Sequence, residues 1–392
     1  MSDLLWPGDE RAGDVLTDAD VLAGMVAVEA AWLRALVAHG VAPSEAADDL
    51  AKLIEPADAP AIARAAESGG NPVIPLLKLL RERLAGRNAA AAHWVHAGLT
   101  SQDVLDTALA LGLRDAAAAV ATELAAQITA VTRLADAHRA TELAGRTLTQ
   151  PAVPITFGLK AAGWLTQLLD ARDQLAAAAV LPARLGGAAG SLAAPVALAG
   201  SPRAAADLVA VTVTALGLEL PSGRMPFARL GDAFAACTDA WGHLANDVLL
   251  GARPEIGELG EPAAAGRGGS SAMPQKHNPV LSVLLRRAAL SAPALAATLH
   301  TAAAAAVDER PDGGWHAEWF ALRALARHTV AAGSQATELL AGLRVDPARM
   351  AANLAAARPG IDAEQRRYAP AGGDYRGATD LIIDAAIARA TA

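Results

Sequence analysis

Cysteine is almost missing from this chain of 392 residues. The one present, Cys237, cannot close an intrachain disulfide, which fits a reducing compartment and points to the cytoplasm. Lysine is nearly as scarce, at Lys52, Lys78, Lys160 and Lys276, so arginine carries almost all the positive charge. With a formal net charge of -8 no basic face is advertised, which excludes nucleic acid as an expected partner. An acidic chain that binds an anion must therefore gather its cations locally. Aromatics are only 3% and runs of Val and Ile are rare, which argues against a large sheet. Ala-rich stretches such as 115–120 and 302–307 are short and bounded by charge, so no membrane span is expected. Met1 to Trp6 show no basic stretch followed by an apolar run, and no secretory signal is expected. There is no GxGxxG opening a helix, no GxxxxGK[ST] and no repeat of 20–50 residues.

Alanine dominates instead. It is the best helix former, and the apolar spacing is helical through most of the chain. The pattern predicts helices at 20–38, 44–54, 59–67 and 75–85, then long ones at about 101–137 and 155–181. Further helices are expected near 203–217, 228–251, 279–306 and 316–342, and one last in the tail. Thr17 and Asp18 before the first helix and Gly40 after it are start and stop signals. Residues 141–154 and 182–202 read as breaks rich in Gly and Pro. The expected fold is all-α, a bundle of long helices. Its divisions are a small helical domain over 1–95, a central bundle over 96–345 and a short segment over 346–392, whose Pro370, Gly372, Gly373 and Gly377 form a loop patch.

Three polar segments each precede a long helix. Gly269 to Asn278, with Pro279, places two serines, a lysine and an amide beside a helix start; Asn is a good N-cap and Pro suits the first helical position. Thr100-Ser101-Gln102-Asp103 has capping-box spacing, with Asp in place of the usual Glu or Gln. Gly145 to Gly158 holds Arg146, Thr147 and Gln150. Taken singly, these are a linker, a cap and a turn. Together they bring anion-binding groups to helix ends. His93 and His96 could share a metal, but nothing nearby supplies the remaining ligands.

These segments resemble the three signature regions of the fumarase/aspartase superfamily. Gly269 to Asn278 matches GSSxMPxKxN at every defined position, GLTSQDVLDT at 98–107 resembles the first region, and GRTLTQPAVPITFG at 145–158 the second. Within the superfamily the chain looks most like the 3-carboxy-cis,cis-muconate cycloisomerases. The similar stretches are 70–75, 156–160, 278–284, 308–310 and 315–319, and the brief tail is similar to that of the shortened members. Two positions depart from the lyases that release fumarate: Leu148 stands where they carry His, and Val283 where they carry Glu.

The resemblance implies a homotetramer with composite sites, a small tricarboxylate substrate, and neither cofactor nor metal. It implies Ser270 as the proton-transfer residue, with Lys276 and Asn278 stabilising an aci-carboxylate. Thr100, Ser101 and Gln102 are expected to bind one carboxylate, and Arg146, Thr147 and Gln150 another. His96, Ser271, Met273 and Arg310 complete the expected contacts. A C–N or C–O lyase releasing fumarate and a non-catalytic structural homologue are the alternatives. Leu148 weighs against the first, because an amine or hydroxide leaves with a proton whereas a carboxylate leaves as an anion. The intact Ser270, Lys276 and Asn278 weigh against the second.

Overall fold

The computed structural model describes residues 3–220, 225–273, 275–368 and 375–391. Pro274 of the signature and Pro370, Gly372 and Gly373 of the tail lie outside them. In chain order the helices and strands are α1 (Asp18–Ala38), α2 (Ala59–Ala66), α3 (Val73–Ala85), α4 (Ala89–Trp94), α5 (Ser101–Ala137), β1 (Glu142–Thr147), β2 (Gln150–Thr156), α6 (Phe157–Ala178), α7 (Ala193–Ala199), α8 (Pro202–Leu216), α9 (Met225–Gly251), β3 (Leu259–Gly260), α10 (Val280–Ala304), α11 (Gly313–Ala341), β4 (Arg344–Val345), α12 (Pro347–Tyr368) and α13 (Thr379–Thr391). Among the described residues the protein is built of helices, with two small antiparallel pairs, β1 with β2 and β3 with β4.

The chain forms two compact units. The first comprises Met1–Ala118, Ala177–Asp232 and Ala294–Arg327. Its core centres on Trp32, Leu33 and Leu36 of α1 and Leu76, Leu80 and Leu84 of α3, all buried. Thr17 caps α1 as expected, its side chain accepting from Asp20 N. Where one helix was expected over 44–54, short 3-10 turns at Ser44–Ala46 and Leu50–Leu53 stand instead. Arg327 pins the N-terminal segment: its guanidinium pairs with Asp9 at 2.8 Å and donates to Val15 O at 2.6 Å. Both side chains are about 5% exposed, so removing either would strand a buried charge.

The second unit comprises Ala119–Ala176, Ala233–Pro293 and His328–Ala392. Trp164, Trp241, Phe157 and Phe234 fill its core. Gln127 satisfies the polar groups there, accepting from Trp241 Nε1 at 2.7 Å and donating to Gly333 O at 2.9 Å. Cys237 is buried in the same core, and burial pushes its thiol up to about 12, which leaves it unreactive.

By length and composition alone, α1 and α10 could each cross a bilayer. The apolar window of α1 is 67% buried in its own fold, that of α10 only 33%. On α10 the exposed residues include Val283 and Leu290, at 51% and 73%.

Candidate active site

At the start of α5 the sequence places one acidic residue, Asp103, three positions after Thr100. Its carboxylate is fully buried and takes four donors. Thr100 N at 3.2 Å and Gly187 N at 2.8 Å reach Oδ2, while Gly186 N at 3.1 Å and Arg310 Nη2 at 2.7 Å reach Oδ1. Half of the expected capping box is therefore present, the half in which residue 103 accepts from the cap backbone. Burial raises the Asp103 carboxyl above its ordinary value, opposed by the Arg310 charge and then by the backbone donors. Arg310 also donates to the carbonyls of Gly187 and Ala188, so its Nε and Nη2 are engaged within the protein. Gln102 lies beside this knot, 4% exposed, and its Nε2 has no partner. A buried amide on the first turn of a helix can donate to an anion that reaches that helix start. Ser101 and Thr100 are half-exposed.

The loop before α5 is held from behind by α1. His96 takes a left-handed backbone, φ 67°, and its Nδ1 lies 2.6 Å from Glu29 Oε1. Trp32 Nε1 donates to Ala97 O at 2.7 Å.

The segment expected to be a plain break over 141–154 is a β-hairpin. Thr147 pairs with Gln150, and Leu148 and Thr149 form the tip, both with positive φ, 49° and 70°. Those angles are the signature of a type I′ turn, which normally selects Asn-Gly. Gly145 sits at an irregularity in the ladder, where a Cβ would meet Val153 O at 2.8 Å. Thr147, Leu148, Thr149 and Gln150 are exposed, Leu148 by 95%. Arg146, at the foot, makes a two-pronged ion pair with Glu258, 2.9 and 2.7 Å, and Asn353 Nδ2 donates to the same carboxylate at 2.8 Å. Glu258 is 3% exposed. Arg146 was expected to hold a substrate carboxylate; here it anchors the hairpin to a carboxylate of the protein itself.

The serine loop is closed by Asn278, whose N and Nδ2 both donate to Gly268 O, at 2.8 and 3.1 Å. A Cβ on Gly268 would lie 2.5 Å from Asn278 O, so only glycine permits this closure. Asn278 thus stitches the loop and is not the helix cap that its sequence position suggested. The cap is Glu261, which accepts from Leu281 N at 3.0 Å and from Ser282 N and Oγ at 2.6 Å each. Inside the loop, Ser270 Oγ accepts from Met273 N at 3.2 Å and Ala272 N at 3.4 Å. Lys276, Ser271 and Met273 are exposed, and among the described residues Lys276 has no ion-pair partner. No hydrogen bond among the described residues joins this loop to Thr147 or Gln150. Sequence reasoning missed Glu29, Glu258 and Glu261. The only available signal was for Glu29, a carboxylate one helical turn from both Met25 and Trp32 on an apolar stripe.

A family model described as a lyase matches residues 13–293. A nitrosuccinate lyase of Streptomyces davaonensis is 47% identical over 86% of this chain and 73% of its own. A 3-carboxy-cis,cis-muconate cycloisomerase of Bradyrhizobium diazoefficiens is 39% identical over 96% of this chain and 84% of its own. The crystal structure of the 3-carboxy-cis,cis-muconate lactonizing enzyme from Pseudomonas putida superposes with a TM-score of 0.85 at 33% identity, covering 97% of this chain and 85% of that one.

Proposed function

The chain belongs to the fumarase/aspartase superfamily of lyases, and within it we propose that this enzyme closes 3-carboxy-cis,cis-muconate to its lactone. The likeness to a 3-carboxy-cis,cis-muconate cycloisomerase over 96% of this chain carries the reading, and Leu148 weighs against an amine or hydroxide leaving group. The tip of the hairpin presents an apolar side chain where a lyase that expels an amine or hydroxide needs a proton donor. Lactonisation needs none there, because the group that joins or leaves the carbon is a carboxylate, stable as an anion. One substrate carboxylate oxygen adds to the conjugated double bond, and the π electrons move onto the carbon beside a second carboxylate as an aci-carboxylate. Ser270 then gives its proton to that carbon, and water restores it, so the trianion takes up one proton and becomes a dianion. The alkoxide left on Ser270 is stabilised by the amides of Ala272 and Met273 that already point at Oγ. Lys276 and the second amide hydrogen of Asn278 face the developing negative charge. In the composite site of the proposed homotetramer, Thr100, Ser101 and Gln102 of one copy bind a carboxylate at the start of α5, and Thr147 and Gln150 of another copy bind a second.

A second reading is favoured by the 47% identity to a nitrosuccinate lyase. Elimination from nitrosuccinate expels nitrite, whose conjugate acid is about as strong as a carboxylic acid, so Leu148 suits that reaction too. One pair of assays separates them. Loss of diene absorbance with 3-carboxymuconate and no nitrite from nitrosuccinate is the expected result; nitrite release without lactonisation replaces the first reading by the second.

The reading extends to a homotetramer in the cytoplasm, in which the exposed Val283 and Leu290 face of α10 is covered by another copy. A monomer by light scattering that keeps full activity overturns that assembly.

A further inference from the structure

Helix α1 is apolar on nearly every side, yet it buries a carboxylate. Glu29 is 0% exposed, one oxygen lies 2.6 Å from His96 Nδ1, and the other has no hydrogen-bond partner. A buried carboxylate with an unfilled oxygen is unfavourable for the fold, and a well-packed apolar side chain would serve folding better. His96 adds a second cost, since a left-handed φ of 67° strains any residue with a Cβ. Trp32, one turn further along α1, fixes the next residue through its bond to Ala97 O. Buried charge, backbone strain and a doubled clamp thus meet at one imidazole. Its Nδ1 is engaged, its Nε2 has no partner among the described residues, and the side chain is 14% exposed. Six residues further on is Gln102 with its unfilled amide.

We infer that Glu29 is a positioning residue: through Nδ1 it holds the His96 ring so that Nε2 meets a carboxylate of the bound polycarboxylate. With Nδ1 engaged by Glu29, Nε2 is the ring nitrogen left to face the substrate carboxylate. This rests on the proposed reading in taking a polycarboxylate as the substrate.

The test is a double-mutant cycle of Glu29→Gln and His96→Gln, read in kcat and KM. Glu29→Gln keeps shape and an acceptor but removes the charge. It is expected to raise KM about ten- to a hundredfold, with kcat changing less than about threefold. In the His96→Gln background the same change is expected to do nothing further, within about twofold, because Glu29 acts only through that ring. Wild-type kinetics in Glu29→Gln, or a full effect that persists without His96, overturns the inference. Glu29→Leu, which removes the buried charge outright, gives the same reading if Glu29→Gln does not fold. If the wild-type enzyme turns over neither 3-carboxymuconate nor nitrosuccinate, the proposed reactions fail and the cycle is read in the dissociation constant for tricarballylate by calorimetry. Equal, non-additive weakening there sustains the role of Glu29. Unchanged binding in Glu29→Gln, or no binding by the wild type, removes it.

Discussion

The N-termini of α5 and α10 are both closed by carboxylates of the protein, but in different ways. At α5 the carboxylate belongs to the helix itself. Asp103 is buried under four donors, and one of them, Arg310, offsets its charge. At α10 it comes from outside the helix. Glu261 accepts three hydrogen bonds from residues 281 and 282, while the nearby Arg344 donates to its backbone carbonyl and not to the carboxylate. The partial positive charge of a helix start is worth most to the first anion that reaches it. At α10 that anion is already Glu261, so under the proposed reading Ser270 draws on the amides of Ala272 and Met273 rather than on the helix end. At α5 the charges of Asp103 and Arg310 balance, and the adjoining Gln102 amide is still unfilled. The first end therefore remains able to hold a substrate carboxylate, and the second serves to fix the serine loop.

The sharpest way to break this contrast is at the serine. Ser270→Ala is expected to lower kcat by about 10²- to 10⁴-fold, the range for loss of a positioned proton-transfer group. A loss below about tenfold sinks its assignment. Asp103→Asn comes next. Each Asp103 oxygen takes two donors, so either amide orientation turns an NH₂ toward two N–H groups. The expected loss is about 2–4 kcal/mol in urea unfolding. Its pH dependence has a definite sign. Burial raises Asp103, so between the ordinary aspartate value and the raised one the folded protein holds more protons than the unfolded chain. Stability owed to this group is full in acid and falls as pH rises through that window. The gap between wild type and Asp103→Asn should therefore be widest in acid and narrow toward neutrality; a gap that widens with rising pH contradicts the burial argument.

Glu261→Gln should cost less. A glutamine with its carbonyl oxygen at Oε1 still accepts from both groups of Ser282 and loses only Leu281 N. About 1–2 kcal/mol is expected. A loss as large as that from Asp103→Asn would show that the two helix ends are equally dependent on their carboxylates.

Helix positions were legible in the sequence because period and propensity agree. The long helix before the hairpin was expected to end near 137 and ends at Ala137. Where they disagreed, elements were missed. The tail was expected to hold one helix, but α12 runs from Pro347 to Tyr368 straight through Pro359 and Gly360, residues that usually end a helix. In the same way α7 lies hidden in the Gly-rich stretch over 182–202. Site chemistry was legible only as residue type. Ser270, Gln102 and Asn278 could be named from the three segments. That Arg146 and Arg310 would be spent on Glu258 and Asp103 could not, because those pairs span 112 and 207 residues and no local rule reports on such partners.

The hairpin was the least legible element and gives the smallest expected effects. Its tip, Leu148-Thr149, lacks the Asn-Gly signal, and both residues hold a backbone that L side chains avoid. Thr149 is β-branched, so at φ 70° it bears the larger strain. Thr149→Gly is expected to raise stability by about 0.5–1 kcal/mol in urea unfolding, with turnover within about twofold of wild type. Leu148→Asn should stabilise by a similar amount, because Asn tolerates the left-handed region. If the leucine is retained for its apolar side chain at the reacting centre, Leu148→Asn loses turnover where Thr149→Gly does not. Leu148→His completes the set. A donor at the tip should leave lactonisation within about threefold, since a departing carboxylate needs no proton. A tenfold gain from that histidine would mean that the leaving group is more basic than a carboxylate, and that the hairpin tip, rather than either helix end, decides the reaction.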